Sequence, residues 1–178
     1  QQFKERTQKA ATLFNSMGVM KGDRVCLFSP NSPICLYIWF GLARLGAICV
    51  PINTAYKPEE VAYILNDSQP KVLVSHSSLI GTAEVARQIY PDINHFVVID
   101  QNENKIDSYP NWASFHELFN KSEIFSANTG VTYENPSMLV YTSGTTGKPK
   151  GVILTHQMYV AAGQGFATWT NATTKDIF

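Results

Sequence analysis

Between Tyr141 and His156 the chain reads YTSGTTGKPKGVILTH. Few of these side chains have an apolar surface to bury, and many can donate a hydrogen bond. Gly144, Gly147 and Gly151 remove side chains and permit positive φ, so backbone N–H groups can converge on one anion. Thr142, Ser143, Thr145 and Thr146 add hydroxyl donors, and Lys148 and Lys150 add point charges. Pro149 stiffens the exit and removes one amide. Together these groups make a cradle for a polyphosphate. A solvated hairpin loop would explain the glycines, but not four hydroxyls beside two lysines.

The spacing excludes two common phosphate motifs. A Walker A loop needs Gly, four residues, then Gly-Lys-Ser/Thr. Counted from Gly144 the second Gly falls on Pro149, and from Gly147 on Val152. The dinucleotide pattern Gly-x-Gly-x-x-Gly is absent as well. His156 reads as a residue at a strand end or helix start, and no neighbouring carboxylate in the sequence orients it as a base.

The segments around the cradle alternate between helix and strand. Ala10, Leu13, Phe14 and Met17 have helical spacing, and Gly18 can end that helix. VCLF (Val25 to Phe28) reads as a strand. Ser32-Pro33 gives an N-cap and a Pro at the first helical position, opening an almost wholly apolar helix that runs to Leu45. AICV (Ala47 to Val50) is the next strand. Pro58, Glu59 and Glu60 form a helical first turn, with Val61, Ile64 and Leu65 as its apolar face. VLVS (Val72 to Ser75), a helix around Ile80 to Ile89 and FVVI (Phe96 to Ile99) follow. The segment from Asp100 to Pro136 is polar and irregular, a long surface excursion in which Trp112, Phe115 and Phe119 suggest one short docked helix. SMLVY (Ser137 to Tyr141) and VILT (Val152 to Thr155) are strands on either side of the cradle, and a helix follows His156.

Strands that are apolar without alternation are covered on both faces, and short ones separated by helices imply a parallel sheet. The expected class is α/β, with a mostly parallel, doubly wound sheet flanked by helices. In such sheets a loop at a strand end is the usual seat of a ligand.

Composition narrows the function. Lys+Arg and Asp+Glu both number 14, with no basic stripe, so the chain carries no electrostatic footprint for nucleic acid. The apolar run from Ile34 to Ile52 is broken by Arg44, and the part before it is too short to cross a bilayer, so no integral membrane segment is expected. Cys26, Cys35 and Cys49 form no Cys-x-x-Cys pair and read as buried thiols of a reducing, cytoplasmic compartment. The four histidines have no metal-ligand spacing.

YTSGTTGKPKGV followed by TH resembles the phosphate-binding signature of the adenylate-forming superfamily. GLARLGAICVPINTAYKPEEVAYIL (Gly41 to Leu65) and GVMKGDRVCLFSPNS (Gly18 to Ser32) resemble other early segments of that family. Thr145-Thr146, Thr155-His156 and PINTAYKPEE are more similar to the acyl-CoA synthetase branch than to peptide-synthetase adenylation domains. YIWFGLARLGAICVPIN is similar to the crotonobetaine/carnitine–CoA ligase group.

This resemblance implies that residues 1–178 are the N-terminal portion of the AMP-binding domain, part of the large N-terminal domain of such enzymes, with the C-terminal domain absent. It implies an ATP-dependent acid–CoA ligase of fatty acid or carnitine metabolism. ATP and Mg²⁺ would be the cofactors, and a small carboxylic acid and coenzyme A the partners. Thr142, Ser143, Gly144, Thr145, Thr146, Gly147 and Lys150 would contact the nucleotide phosphates. Thr142 lies beside Mg²⁺ in some relatives, although a lone hydroxyl needs an acidic partner to hold a metal. The acyl pocket, the ribose-binding aspartate and the catalytic lysine of this family have no counterpart in these residues. No catalytic residue is therefore assigned, and the 178 residues alone are expected to be inactive. Two alternatives stand beside this reading: a non-catalytic nucleotide- or phosphate-binding module, and another adenylate-forming enzyme such as a peptide-synthetase adenylation domain.

Overall fold

A computed structural model describes residues 1–100, 110–124, 129–142 and 148–173. Helix α1 (Gln2–Ser16) buries Ala10, Leu13 and Phe14 and stops before Gly18, which takes a left-handed φ of +75°. Strand β1 (Arg24–Phe28) leads to α2 (Pro33–Leu45), which ends at Gly46 with φ +72°. A side chain there would be strained, and it would also meet Lys21 Cγ at 2.9 Å. Strand β2 (Ile48–Pro51) precedes α3 (Pro58–Ser68), whose Glu60 carboxylate accepts from the Lys57 backbone N–H at 2.8 Å. Strand β3 (Val72–His76), α4 (Ile80–Ile89) and β4 (His95–Ile99) continue the alternation. Strand β5 (Ala113–Ser114), α5 (Phe115–Lys121), β6 (Pro136–Thr142), β7 (Lys150–Thr155) and α6 (His156–Thr170) complete the described chain.

Among the described residues seven strands form one sheet, in the order β5-β4-β3-β1-β2-β6-β7. Every neighbouring pair is parallel except β6–β7. The chain steps one way from β1 to β2, then back past β1 to β3. Right-handed crossovers in opposite directions place helices on opposite faces. One face carries α1, α2 and α5, packed through Leu13, Phe14, Leu42 and Phe115 onto Val25, Val72 and Val97. The other carries α3 and α4, packed through Val61, Leu65 and Ala83 onto Cys26, Leu73 and Val98. The doubly wound, mostly parallel α/β class expected from the sequence is the class observed.

The structure departs from the sequence reading in several places. Helix α2 is apolar almost throughout, yet it buries one stripe only: Ile38, Leu42 and Leu45 face the core, while Leu36 and Phe40 are more than 40% exposed. A helix layered on a sheet has only one side to hide. Phe40 rests on Phe3 of α1, with ring centroids 5.3 Å apart, which shelters it in part. Ser32 is the N-cap residue of α2, but its side chain makes no capping bond and lies 3.4 Å from Cys35 Sγ instead. Trp112 lies before β5 rather than in a helix. It is buried, and its indole N–H donates to Glu84 of α4. The excursion thus adds a short strand to the sheet edge. Strand β7 is not covered on both faces: Val152 and Ile153 are exposed.

The thiols differ sharply in environment. Cys26 and Cys49 are fully buried, and burial pushes the Cys26 thiol up to about 12 and the Cys49 thiol up as well. Cys35 is only partly buried, at the start of α2. A thiolate is the reactive form. Native protein treated with iodoacetamide near pH 8 should therefore be alkylated at Cys35, and at Cys26 and Cys49 only after denaturation. Peptide mass spectrometry of both samples reads this directly. Labelling of Cys26 in the native state would contradict the packing of β1.

Candidate functional site

Residues 143–149 join β6 and β7, which among the described residues are the antiparallel pair of the sheet. Strand β6 runs parallel to β2, so the residues after Thr142 leave from the carboxyl edge of the parallel strands, where open α/β sheets bind ligands. Thr142 pairs with Lys150 at the end of the β6–β7 ladder, and Tyr141 pairs with Gly151. Directly opposed residues present their side chains on the same face of a sheet. The Thr142 hydroxyl and the Lys150 ammonium thus flank the mouth of the loop together, and both residues are exposed. Tyr141 and Gly151 turn to the other face, towards α3, because side chains alternate along a strand.

Of the residues assigned to phosphate contact, Thr142 and Lys150 are brought together in this way. Ser143, Gly144, Thr145, Thr146 and Gly147 lie outside the described residues. Lys148 departs from Lys150: its Nζ sits 5.8 Å from the centroid of the Tyr63 ring, on the α3 side. Gly151 needs a correction. It lies inside β7 and is not among the glycines with positive φ. Its lack of a side chain makes room instead, since a Cβ there would come within 2.8 Å of Leu139 Cδ1 and 3.4 Å of Tyr141 Cζ.

Tyr141 is buried, and its hydroxyl donates to Asp67 Oδ2 at 2.6 Å. Burial first, then the bond to Asp67, holds the phenol well above its usual range, so it remains a donor. Sequence reading missed Asp67. A surface acid on α3 carries no signal until the fold brings it beside Tyr141.

The cation and hydroxyl at the loop mouth fit a polyphosphate. They do not by themselves fit Mg²⁺. Thr142 offers one neutral oxygen, Asp67 is bonded on the opposite face, and among the described residues no three His, Cys, Asp or Glu side chains converge.

His156 opens α6. Thr155 caps the helix by accepting from the Met158 N–H, and the His156 N–H donates to Asn135 O at 3.1 Å. Its Nε2 is buried without a hydrogen-bond partner among the described residues. Burial pushes the imidazole below its usual 6.5. The folded protein therefore keeps His156 neutral, and as pH falls through 6.5 the unfolded chain binds a proton that the folded chain resists. Stability should drop between pH 8 and pH 5.5, and His156→Gln should flatten that drop. Urea midpoints of both proteins at the two pH values measure the difference.

The family model described as AMP-binding enzyme matches residues 1–178. The chain belongs to the AMP-binding enzyme family. Its relatives include the crotonobetaine/carnitine–CoA ligase of Salmonella agona (strain SL483), 33% identical over 173 residues, which are 97% of this chain and 33% of that ligase. The chain thus spans about a third of the length of the curated relatives it matches. Among solved structures, an anthranilate CoA ligase in complex with anthranoyl-AMP superposes with a TM-score of 0.79 at 30% identity, over 92% of this chain and 30% of that one. A Mycobacterium tuberculosis fatty acyl CoA synthetase superposes with a TM-score of 0.77 at 28% identity, over 94% and 31%. ATP-bound MatB from Rhodopseudomonas palustris, 23% identical, shares the fold with a TM-score of 0.81 over 98% and 33%. Among the described residues no helix is long and apolar enough to cross a membrane.

Proposed function

We propose that residues 1–178 are the N-terminal portion of the AMP-binding domain of an ATP-dependent acid–CoA ligase. The enzyme activates a carboxylic acid as an acyl-adenylate and passes the acyl group to coenzyme A. The observation that carries this reading is the opposed Thr142–Lys150 pair at the mouth of a loop whose sequence is the family signature. Relatives named as acid–CoA ligases support the branch.

ATP supplies the phosphorus centre that the carboxylate attacks, and pyrophosphate is the leaving group. The protein's part in this step is positioning and charge neutralisation. Lys150 meets the charge on the departing phosphates. Thr142 would donate a hydroxyl, and Ser143, Gly144, Thr145, Thr146 and Gly147 are assigned to the phosphates from the sequence signature alone. Mg²⁺ belongs to the reading as the counter-ion of the phosphates, with Thr142 as a neighbouring hydroxyl. The three unpaired cysteines support a reducing compartment, hence the cytoplasm.

The test is acid-dependent ATP–pyrophosphate exchange by a full-length ligase carrying these residues. The acid panel should span crotonobetaine, carnitine, fatty acids and aryl acids, followed by coenzyme A. Exchange with at least one acid and thioester formation are expected. Exchange followed by transfer only to a carrier-protein thiol would reassign the enzyme to the peptide-synthetase branch. ATP binding without exchange for any acid would leave a nucleotide-binding module.

A further inference from the structure

Helix α3 presents two side chains that the phosphate signature does not explain. Tyr63 and Asp67 are four residues apart, so they lie on one line of the helix. That line is separate from the positions of Val61, Ile64, Leu65 and Ser68, which are buried. Asp67 Oδ2 takes the hydroxyl of Tyr141, one residue short of Thr142, and the Tyr63 ring lies under Lys148, two residues before Lys150. One helix line therefore touches the strand that enters the loop and the segment that leaves it.

We propose that α3 positions the Thr142–Lys150 pair that would meet the phosphates, with Asp67 acting through Tyr141 and Tyr63 acting through Lys148. This assignment rests on the ATP-dependent reading above. Three observations carry it. Because strand residues alternate, the seat of the Tyr141 ring sets the pitch of the next side chain, Thr142, and through the ladder that of Lys150. The ring has a defined seat, since Gly151 lies opposite with no side chain and Asp67 closes the far end. Finally, a carboxylate near a polyphosphate is electrostatically adverse. Asp67 is tolerable there only on the face away from Thr142 and Lys150, where it serves as a charged acceptor and binds a hydroxyl more strongly than a neutral one would.

Tyr63 and Asp67 are positioning residues, so their loss should change nucleotide affinity and not the later chemistry. In a full-length ligase carrying these residues, Asp67→Ala and Tyr141→Phe should each raise the KM for ATP about tenfold, the low end for a hydrogen bond to a charged group. Transfer from preformed acyl-adenylate to coenzyme A should stay unchanged. Asp67→Asn keeps an accepting oxygen and should recover most of the affinity. The Asp67→Ala/Tyr141→Phe double variant should be no worse than either single one. Tyr63→Leu and Lys148→Ala should each cost about two- to fivefold, the range of an exposed cation–π contact, and should also be non-additive. Calorimetric titration with ATP and with inorganic pyrophosphate gives a readout independent of turnover. Weaker binding in the same order supports the proposal. Variants that melt earlier but bind ATP as the parent does would show a purely structural role and overturn it. So would additive losses, or equal losses in both half-reactions. A parent protein that binds neither ATP nor pyrophosphate would overturn the ligase reading, and this one with it.

Discussion

In a full-length ligase carrying these residues, replacing Lys150 with alanine should slow acyl-adenylate formation about 100-fold or more, the loss typical of removing one preorganised charge partner from a transition state. That factor corresponds to about 2.7 kcal/mol. Only the first half-reaction separates pyrophosphate, so transfer to coenzyme A should change little. Lys148→Ala should cost far less, because its ammonium lies over the Tyr63 ring rather than beside Thr142. Single-turnover measurement of each half-reaction separates the effects. A larger loss from Lys148→Ala, or equal losses in both steps for Lys150→Ala, would sink the assignment.

The largest stability effect is expected at a glycine remote from the loop. Gly41 lies inside α2 where α1 crosses it, and a Cβ there would stand 2.7 Å from Ala10 Cβ and 2.9 Å from the Ala11 backbone nitrogen. Backbone cannot step aside as a side-chain tip can. Gly to Ala within a helix normally gains about 1 kcal/mol. Here the overpacking cost of about 1–3 kcal/mol should exceed that gain. Gly41→Ala should melt several degrees lower, since each kcal/mol moves Tm by about 2–4 °C in a chain of this size. Gly41→Leu should fail to fold, as its branched side chain would have to separate two helices whose facing residues Ala10 and Ala11 are fully buried. Gly81 of α4 meets nothing within 4 Å, and Gly81→Ala should leave Tm unchanged or raise it. Thermal melts of the three variants measure this contrast of sign.

Much of the fold was legible because local signals and burial agree. Val61, Ile64 and Leu65 have helical spacing and are fully buried, and the α4 limits coincide with the reading. Strand β5 was not legible. Two residues give no period, and what fixes them is pairing with Val97 and Val98. The candidate site stands out in the sequence as a signature, but its arrangement does not. Nothing in KPKG says that one lysine turns towards Tyr63 and the other stands beside Thr142. That difference comes from the ladder register and from a helix more than 70 residues upstream, whose Asp67 meets Tyr141 across a sequence separation of 74. Gly151 was misread for a related reason. Glycine has more than one use, and only the space around it shows which one applies.

The strand order also bears on how the molecule assembles. Strands β1 and β2, and β3 and β4, are each joined by one βα unit, and β3 reaches β1 across two, whereas β6 must find β2 across a longer stretch of chain, with Cys49 opposite Met138 as their registered pair. Non-local pairings form late, because the entropy of closing a long loop is lost before any contact offsets it. The β1–β4 body should thus acquire native protection before β6 and β7 dock on its flank. These two strands, on either side of residues 143–149, would then be the last to arrive and, under mild denaturant, the first to exchange their amides. On the proposed reading, a nucleotide at the mouth of this loop would bind after the β1–β4 body has formed and would stabilise a finished sheet rather than template it.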